Sequence, residues 1–131
     1  MKKDIHVGNE TITAEANAFT PILYRQVFQL DFMAELQGFA KLKGKKPHEY
    51  TDDDKALALE RVSAFSRLAF VMAEQGTGKP VEDLVGLTNI DYYKWLTAFE
   101  PLAFEDVGTI SDILTLWRAN AEDNKITAKN A

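Results

Sequence analysis

The sequence predicts a mainly α protein, a small helical domain of about four to five helices behind an N-terminal β-hairpin. Residues 5–16, "IHVGNETITAEA", alternate apolar and polar with the period of a strand. From Thr20 onward, apolar residues recur at three- and four-residue spacing in segments closed by Gly and Pro. The 131 residues are 46% hydrophobic and include no cysteine, enough for one domain to bury a core without disulfides or metal. The expected organisation is a hairpin over residues 1–18, a helical core over 19–120 and a mobile tail over 121–131.

In the hairpin, Ile5 and Val7 stand on one side of a Gly8-Asn9 turn, with Ile12, Ala14 and Ala16 on the other. Both turn residues tolerate positive φ. Such a hairpin is marginal alone and must lean on the helices behind it. Thr20-Pro21 then opens the first helix, Thr as the N-cap and Pro in the first turn, where no N–H is needed. Leu23, Val27 and Leu30 share one face of it; Phe28, Phe32, Leu36 and Phe39 run along an adjoining one, so the apolar arc is wide. Gly38, Gly44 and Pro47 end this helix and lead into the polar loop "KGKKPHEYTDDD".

Residues 52–54, three aspartates, place negative charge at the start of the next helix, where the macrodipole favours it. That helix, near 53–75, carries Leu57, Val62, Phe65, Leu68, Ala69, Val71 and Met72 and is the expected central core element. "GTGKP" stops it. A short helical piece follows at 81–86. Asn89 is then expected to cap a helix holding Ile90, Tyr93, Trp95, Leu96 and Phe99. After the turn "PLAFEDVG", Thr109 is expected to cap the last helix, with Ile110, Ile113, Leu114 and Trp117 as its stripe. The tail "AEDNKITAKNA" has no periodicity.

Several function classes are disfavoured. A net charge of -5 suits nucleic-acid binding poorly, since that draws on Lys and Arg at phosphates. The basic run "KLKGKK" sits beside the three aspartates and reads as a solvated loop. The N-terminus has two lysines but no apolar run behind them, unlike a signal peptide, and no stretch approaches the ~20 apolar residues of a membrane span. A cytoplasmic protein is expected. "EQGTGKP" lacks the glycine spacing and the Ser or Thr of a phosphate loop. His6 and His48 have no second ligand at metal spacing, and "TDDD" lacks the spaced oxygens of a calcium loop, so no metal and no cofactor are expected. Acidic pairs such as Asp31 and Glu35 read as hydrated surface, and Ser63 and Ser66 have no nucleophile-elbow motif. No enzyme is expected. Trp95, Trp117, Tyr92, Tyr93, Phe99 and Phe104 crowd the last third, and both core packing and a protein interface remain open for them.

The stretches "ANAFTPILYRQVFQLDFMAEL", "SAFSRLAFVMAEQ", "DYYKWLTAFEP" and "ISDILTLWRAN" together resemble the tail assembly chaperones of long-tailed phages and prophages of Gram-positive bacteria. The resemblance covers roughly residues 5–120. Its most specific part is the Thr-Pro-x-x-Tyr-Arg-x-x-Phe run of Thr20, Pro21, Tyr24, Arg25 and Phe28, with Asp31 just beyond. It implies a mostly helical, non-enzymatic protein of the host cytoplasm, absent from the mature virion. Such a protein coats the tape-measure protein, protects its apolar stretches and helps recruit tail-tube protein. It also implies self-association and a longer frameshifted form branching near residues 122–131. The family has Gly directly after the Phe of the motif; here Gln29-Leu30 stands there, so the first helix is expected to run on straighter.

The candidate partner-binding or structural residues are therefore Thr20, Pro21, Tyr24, Arg25, Phe28, Asp31, Phe32, Trp95 and Trp117. Arg25 is expected to pair with a carboxylate above Tyr24, as a clamp between hairpin and helix or as a partner-facing rim. The clamp is preferred because helix starts usually serve packing. The alternative function is a small helical regulatory protein-binding module of a phage or prophage; it would need a basic recognition helix, and none stands out.

Overall fold

The structure, a computed structural model, describes the backbone of residues 1–130 and the side chains of residues 1–119. Strands β1 (Lys2–Val7) and β2 (Glu10–Glu15) pair antiparallel, with Val7 opposite Glu10 and Ile5 opposite Ile12. Gly8, at φ +61°, takes the first turn position, and Asn9 keeps negative φ, the sign pattern of a type II′ turn. Alternation puts Ile5, Val7, Ile12, Ala14 and Ala16 on the buried face. On the open face Thr13 donates to Asp4 at 2.9 Å, and His6 Nδ1 lies 3.0 Å from the Thr11 hydroxyl.

The expected mainly α body follows as α1 (Thr20–Phe28), α2 (Phe32–Gly38), α3 (Asp52–Gly76), α4 (Val81–Leu84), α5 (Asn89–Leu96) and α6 (Val107–Asn130), with single 3₁₀ turns at Phe39–Leu42, Pro47–Glu49 and Ala103–Glu105. The predicted mobile tail, residues 121–131, lies outside the residues whose side chains are described. Among the described residues no helix is long and apolar enough to cross a membrane.

Helix α3 is the centre. Ala64, Phe65, Leu68, Ala69, Phe70, Val71, Met72 and Ala73 are all buried, so no side of its second half faces solvent. Thr51 and Asp54 cap it reciprocally, and Lys45 reaches Asp54 at 2.9 Å. At the other end Gly76 lies against β2, where a Cβ would collide with the Thr13 carbonyl oxygen. Gly76 is thus demanded by close approach; the positive-φ glycine at this helix stop is Gly78, at +78°.

The first helix does not run straight. It stops at Phe28, and Gln29 takes left-handed backbone angles of φ 54° and ψ 34°. The Gln29 N–H donates to the Arg25 carbonyl at 2.8 Å and its side-chain amide to the Gln26 carbonyl at 2.7 Å, closing the helix end. Asp31 then caps α2, accepting from the Met33 and Ala34 N–H groups. The break has a packing reason. Phe28 meets Phe70 and Tyr92, whereas Phe32 meets Phe65 and Trp117. Phe65 and Phe70 lie well apart around α3, and the bend lets the chain wrap from one to the other.

Four further expectations on helix starts and faces are corrected. Thr20 lies inside α1, fully buried, and no side chain caps that helix from its N-cap position, Phe19. Thr88, not Asn89, caps α5, through a reciprocal box with Asp91. Asp106 accepts the Thr109 N–H at 3.1 Å at the start of α6, while the Thr109 hydroxyl lies 2.9 Å from the His6 carbonyl and joins α6 to β1. In α5 the inward residue is Tyr92; Ile90 and Tyr93 are exposed.

Replacing Gln29 by Gly should raise the unfolding free energy by about 0.5–1 kcal/mol, because Gly carries no penalty at positive φ. Urea titration checks it. A loss of similar size would mean that the chain continues as a helix through this point.

Candidate functional site

The predicted motif divides between interior and surface. Thr20, Tyr24, Phe28 and Phe32 are buried, Trp117 is 9% exposed, and Trp95 is half-buried against Phe70, Phe99 and Phe104. Pro21, Arg25 and Asp31 are exposed.

Tyr24 is the hub. Its hydroxyl donates to Glu35 Oε1 at 2.6 Å and accepts from Arg67 Nε at 2.9 Å, while Arg67 Nη2 meets Glu35 Oε2 at 2.6 Å. Three side chains from α1, α2 and α3 close a ring, with the guanidinium also 6.0 Å from the centre of the Phe28 ring. The ion pair is largely buried, with the Arg67 and Glu35 side chains 14% and 16% exposed. Burial first, and then the hydrogen bond to Glu35, push the Tyr24 phenol above its ordinary range. Burial works against the charge of Arg67, but Tyr24 and Glu35 outweigh it and its pKa rises.

Arg25 does pair with a carboxylate, Asp31 at 3.5 Å, but the pair is solvent-exposed and is not the clamp over Tyr24. The tie between hairpin and helix is also made elsewhere. The Thr20 hydroxyl accepts from the Asn17 N–H at 2.9 Å and donates to Gln75 at 2.7 Å, and Gln75 returns a bond to Asn17 at 3.1 Å. Glu35, read from sequence as hydrated surface, and Arg67, not singled out at all, are the residues that reading missed. A signal was present for Arg67: it is the one cation in the apolar run "SAFSRLAFVMA".

These polar groups face one another and leave little chemistry free. Open space lies elsewhere, in a groove of about 550 Å³ between α2 with its following 3₁₀ turn, α3 and α6. Leu36, Phe39, Phe65, Val107, Ile110 and Leu114 line it, and Lys43, Arg61 and Arg118 border it. Among the described residues no carboxylate lines it. Arg61 also borders a second hollow of about 380 Å³ beside Tyr50, Leu59 and Val62, and its buried Nε has no hydrogen-bond partner among the described residues. Among the described residues, no three His, Asp or Glu side chains converge as a metal ion would require. An apolar trough with a basic border can hold an apolar chain segment and select its charge.

No protein-family model, curated protein or solved structure matches the chain.

Two outcomes follow from the ring. Glu35→Ala or Arg67→Ala strands a buried charge and should cost about 3 kcal/mol, whereas Tyr24→Phe should cost about 1 kcal/mol and Arg25→Ala less than about 0.5 kcal/mol. Chemical denaturation ranks them; an Arg25 loss equal to that of Arg67 would reverse the assignment. The second outcome concerns pH. Tyr24 and Tyr92 both have raised values in the fold, burial being the first cause for each. Their neutral forms are favoured when folded, so their contribution is complete below the ordinary phenol value of 10.0 and declines as pH rises above it towards the folded values. Stability measured from pH 8 to 11 (roughly the window that brackets that value) should fall at its alkaline end, less steeply in Tyr24→Phe.

Proposed function

We propose that this chain is a non-enzymatic tail assembly chaperone of a long-tailed phage or prophage, binding the tape-measure protein in the host cytoplasm and yielding it to tail-tube protein. The observation that carries the reading is the open apolar groove bounded by α2, α3 and α6. A trough between helices is a suitable bed for a further amphipathic helix, and tape-measure proteins of the resembled systems are long and largely helical. The resemblance supports the same reading. Three of the four stretches that carry it contribute to this groove: Leu36 from the first, Phe65 from the second, and Ile110 and Leu114 from the fourth. The net charge of -5 keeps a free chaperone soluble while it carries an exposed apolar trough. Self-association and a longer frameshifted form belong to this proposal.

Expression of the gene with its downstream DNA, together with a tape-measure protein from the same genome, tests the reading by affinity capture and intact mass. The expected result is retention of the tape-measure protein in complex with several copies of this chain, with a minor longer species sharing its N-terminus. A single 14.7 kDa species that retains no tape-measure protein would overturn it.

A further inference from the structure

We infer that the groove between α2, α3 and α6 is a docking site for an acidic amphipathic helix, one with an apolar stripe flanked by Asp or Glu. The inference rests on the tail-assembly reading only for the identity of the helix's owner; the groove itself supplies the chemistry. Val107, Ile110 and Leu114 form a three- and four-residue stripe along α6, Leu36 and Phe39 form the facing wall, and Phe65 of α3 joins them. Two helical walls with an apolar floor accept a third helix by ridge-and-groove packing, which an extended strand or a flat surface does not reproduce.

Charge decides which helix. The chain carries 20 acidic and 15 basic residues, yet among the described residues three cations and no carboxylate border this groove. Each cation lies close to an apolar wall residue in sequence: Arg118 four beyond Leu114, Arg61 four before Phe65, Lys43 just past the 3₁₀ turn that holds Phe39. Among the described residues neither Lys43 nor Arg61 forms an ion pair, and Arg61 Nε lacks an acceptor. A carboxylate on the flank of a docked helix would provide one. A helix with basic flanks would meet like charge at all three cations.

The test uses the full chain and two stapled helical peptides with the same Leu stripe, one flanked by Glu and the other by Lys, read by fluorescence anisotropy. Lys43 and Arg118 are exposed, so the variant K43E/R118E keeps the packed core, and a thermal melt confirms that it does. The Glu-flanked peptide should bind the wild type at least about tenfold more tightly than the Lys-flanked one, lose about tenfold in the variant, and weaken as salt rises. Equal binding of the two peptides, or binding indifferent to K43E/R118E, would overturn the inference. So would sedimentation of the wild type as a dimer that the variant converts to monomer, which would seat a second copy in the groove. The tape-measure capture separates the two proposals. If the Glu-flanked peptide binds as expected but the tape-measure protein is not retained, the docking site stands and the tail-assembly reading falls. If wild type and K43E/R118E retain it equally, the tail-assembly reading stands and this groove is not its site.

Discussion

Burial on every side of the second half of α3 is the constraint on which the rest of the molecule depends. A helix normally presents one stripe to a core, but Ala64, Phe65, Leu68, Ala69, Phe70, Val71, Met72 and Ala73 leave no turn of this segment with a solvent-facing side. Leaving any one of its large side chains in water forfeits about 1.5–3 kcal/mol, so each side must be covered. The hairpin covers the end nearest Gly76, where the missing side chain lets backbone meet backbone. Helix α1 and Tyr92 of α5 cover the side of Phe70; Phe32 and, beyond it, Trp117 of α6 cover that of Phe65. The first half of α3 is different, with only Asp54 buried before Ala64. The coat thins there, and both hollows bordered by Arg61 open at that transition.

Wrapping one helix in short elements raises a problem of polar satisfaction, because each change of direction frees backbone and side-chain groups. Two closed hydrogen-bond rings answer it. Thr20, Gln75 and Asn17 secure the passage from hairpin to α1, and Tyr24, Glu35 and Arg67 secure the bend between α1 and α2 against α3. In both, donors and acceptors are matched, so the cost of burying them is offset, and in the second the charges are matched as well. These rings specify geometry more than they add stability. They hold Phe28 and Phe32 at different places around α3, and the left-handed Gln29 is the strain that this arrangement tolerates.

The same design separates what is committed from what is available. Of the residues in the Thr-Pro-x-x-Tyr-Arg-x-x-Phe run, the buried ones are consumed in packing, and the exposed Arg25 pairs with Asp31 at the surface. That run therefore signals a fold more directly than a binding surface. Residues that line the open groove come from segments far apart in the chain: Leu36 and Phe39, Arg61 and Phe65, Ile110 and Leu114. No one of them is unusual in its own stretch of sequence.

What the sequence determined by itself is what short-range physics controls. The two-residue period and Gly8-Asn9 set the hairpin and its register; the Gly and Pro punctuation around residues 76–80 set where α3 ends; the density of apolar residues marked α3 as the core. What only the tertiary structure decided is whatever depends on a partner distant in the chain. Glu35 and Asp31 look alike as acidic residues one turn apart, and it is Arg67, 32 residues from Glu35, that makes one a buried ion and leaves the other a surface cap. Tyr92 and Tyr93 differ by about 100° of helix rotation, and the position of Phe28 and Phe70 selects the inward one. Gln29 has no local preference for positive φ, yet it ends a helix because Phe28 and Phe32 must reach different places around α3. Local propensity is worth tenths of a kcal/mol per residue, whereas burying an aromatic is worth about ten times more and stranding one member of a buried ion pair costs about as much, so where the two conflict the distant partner wins.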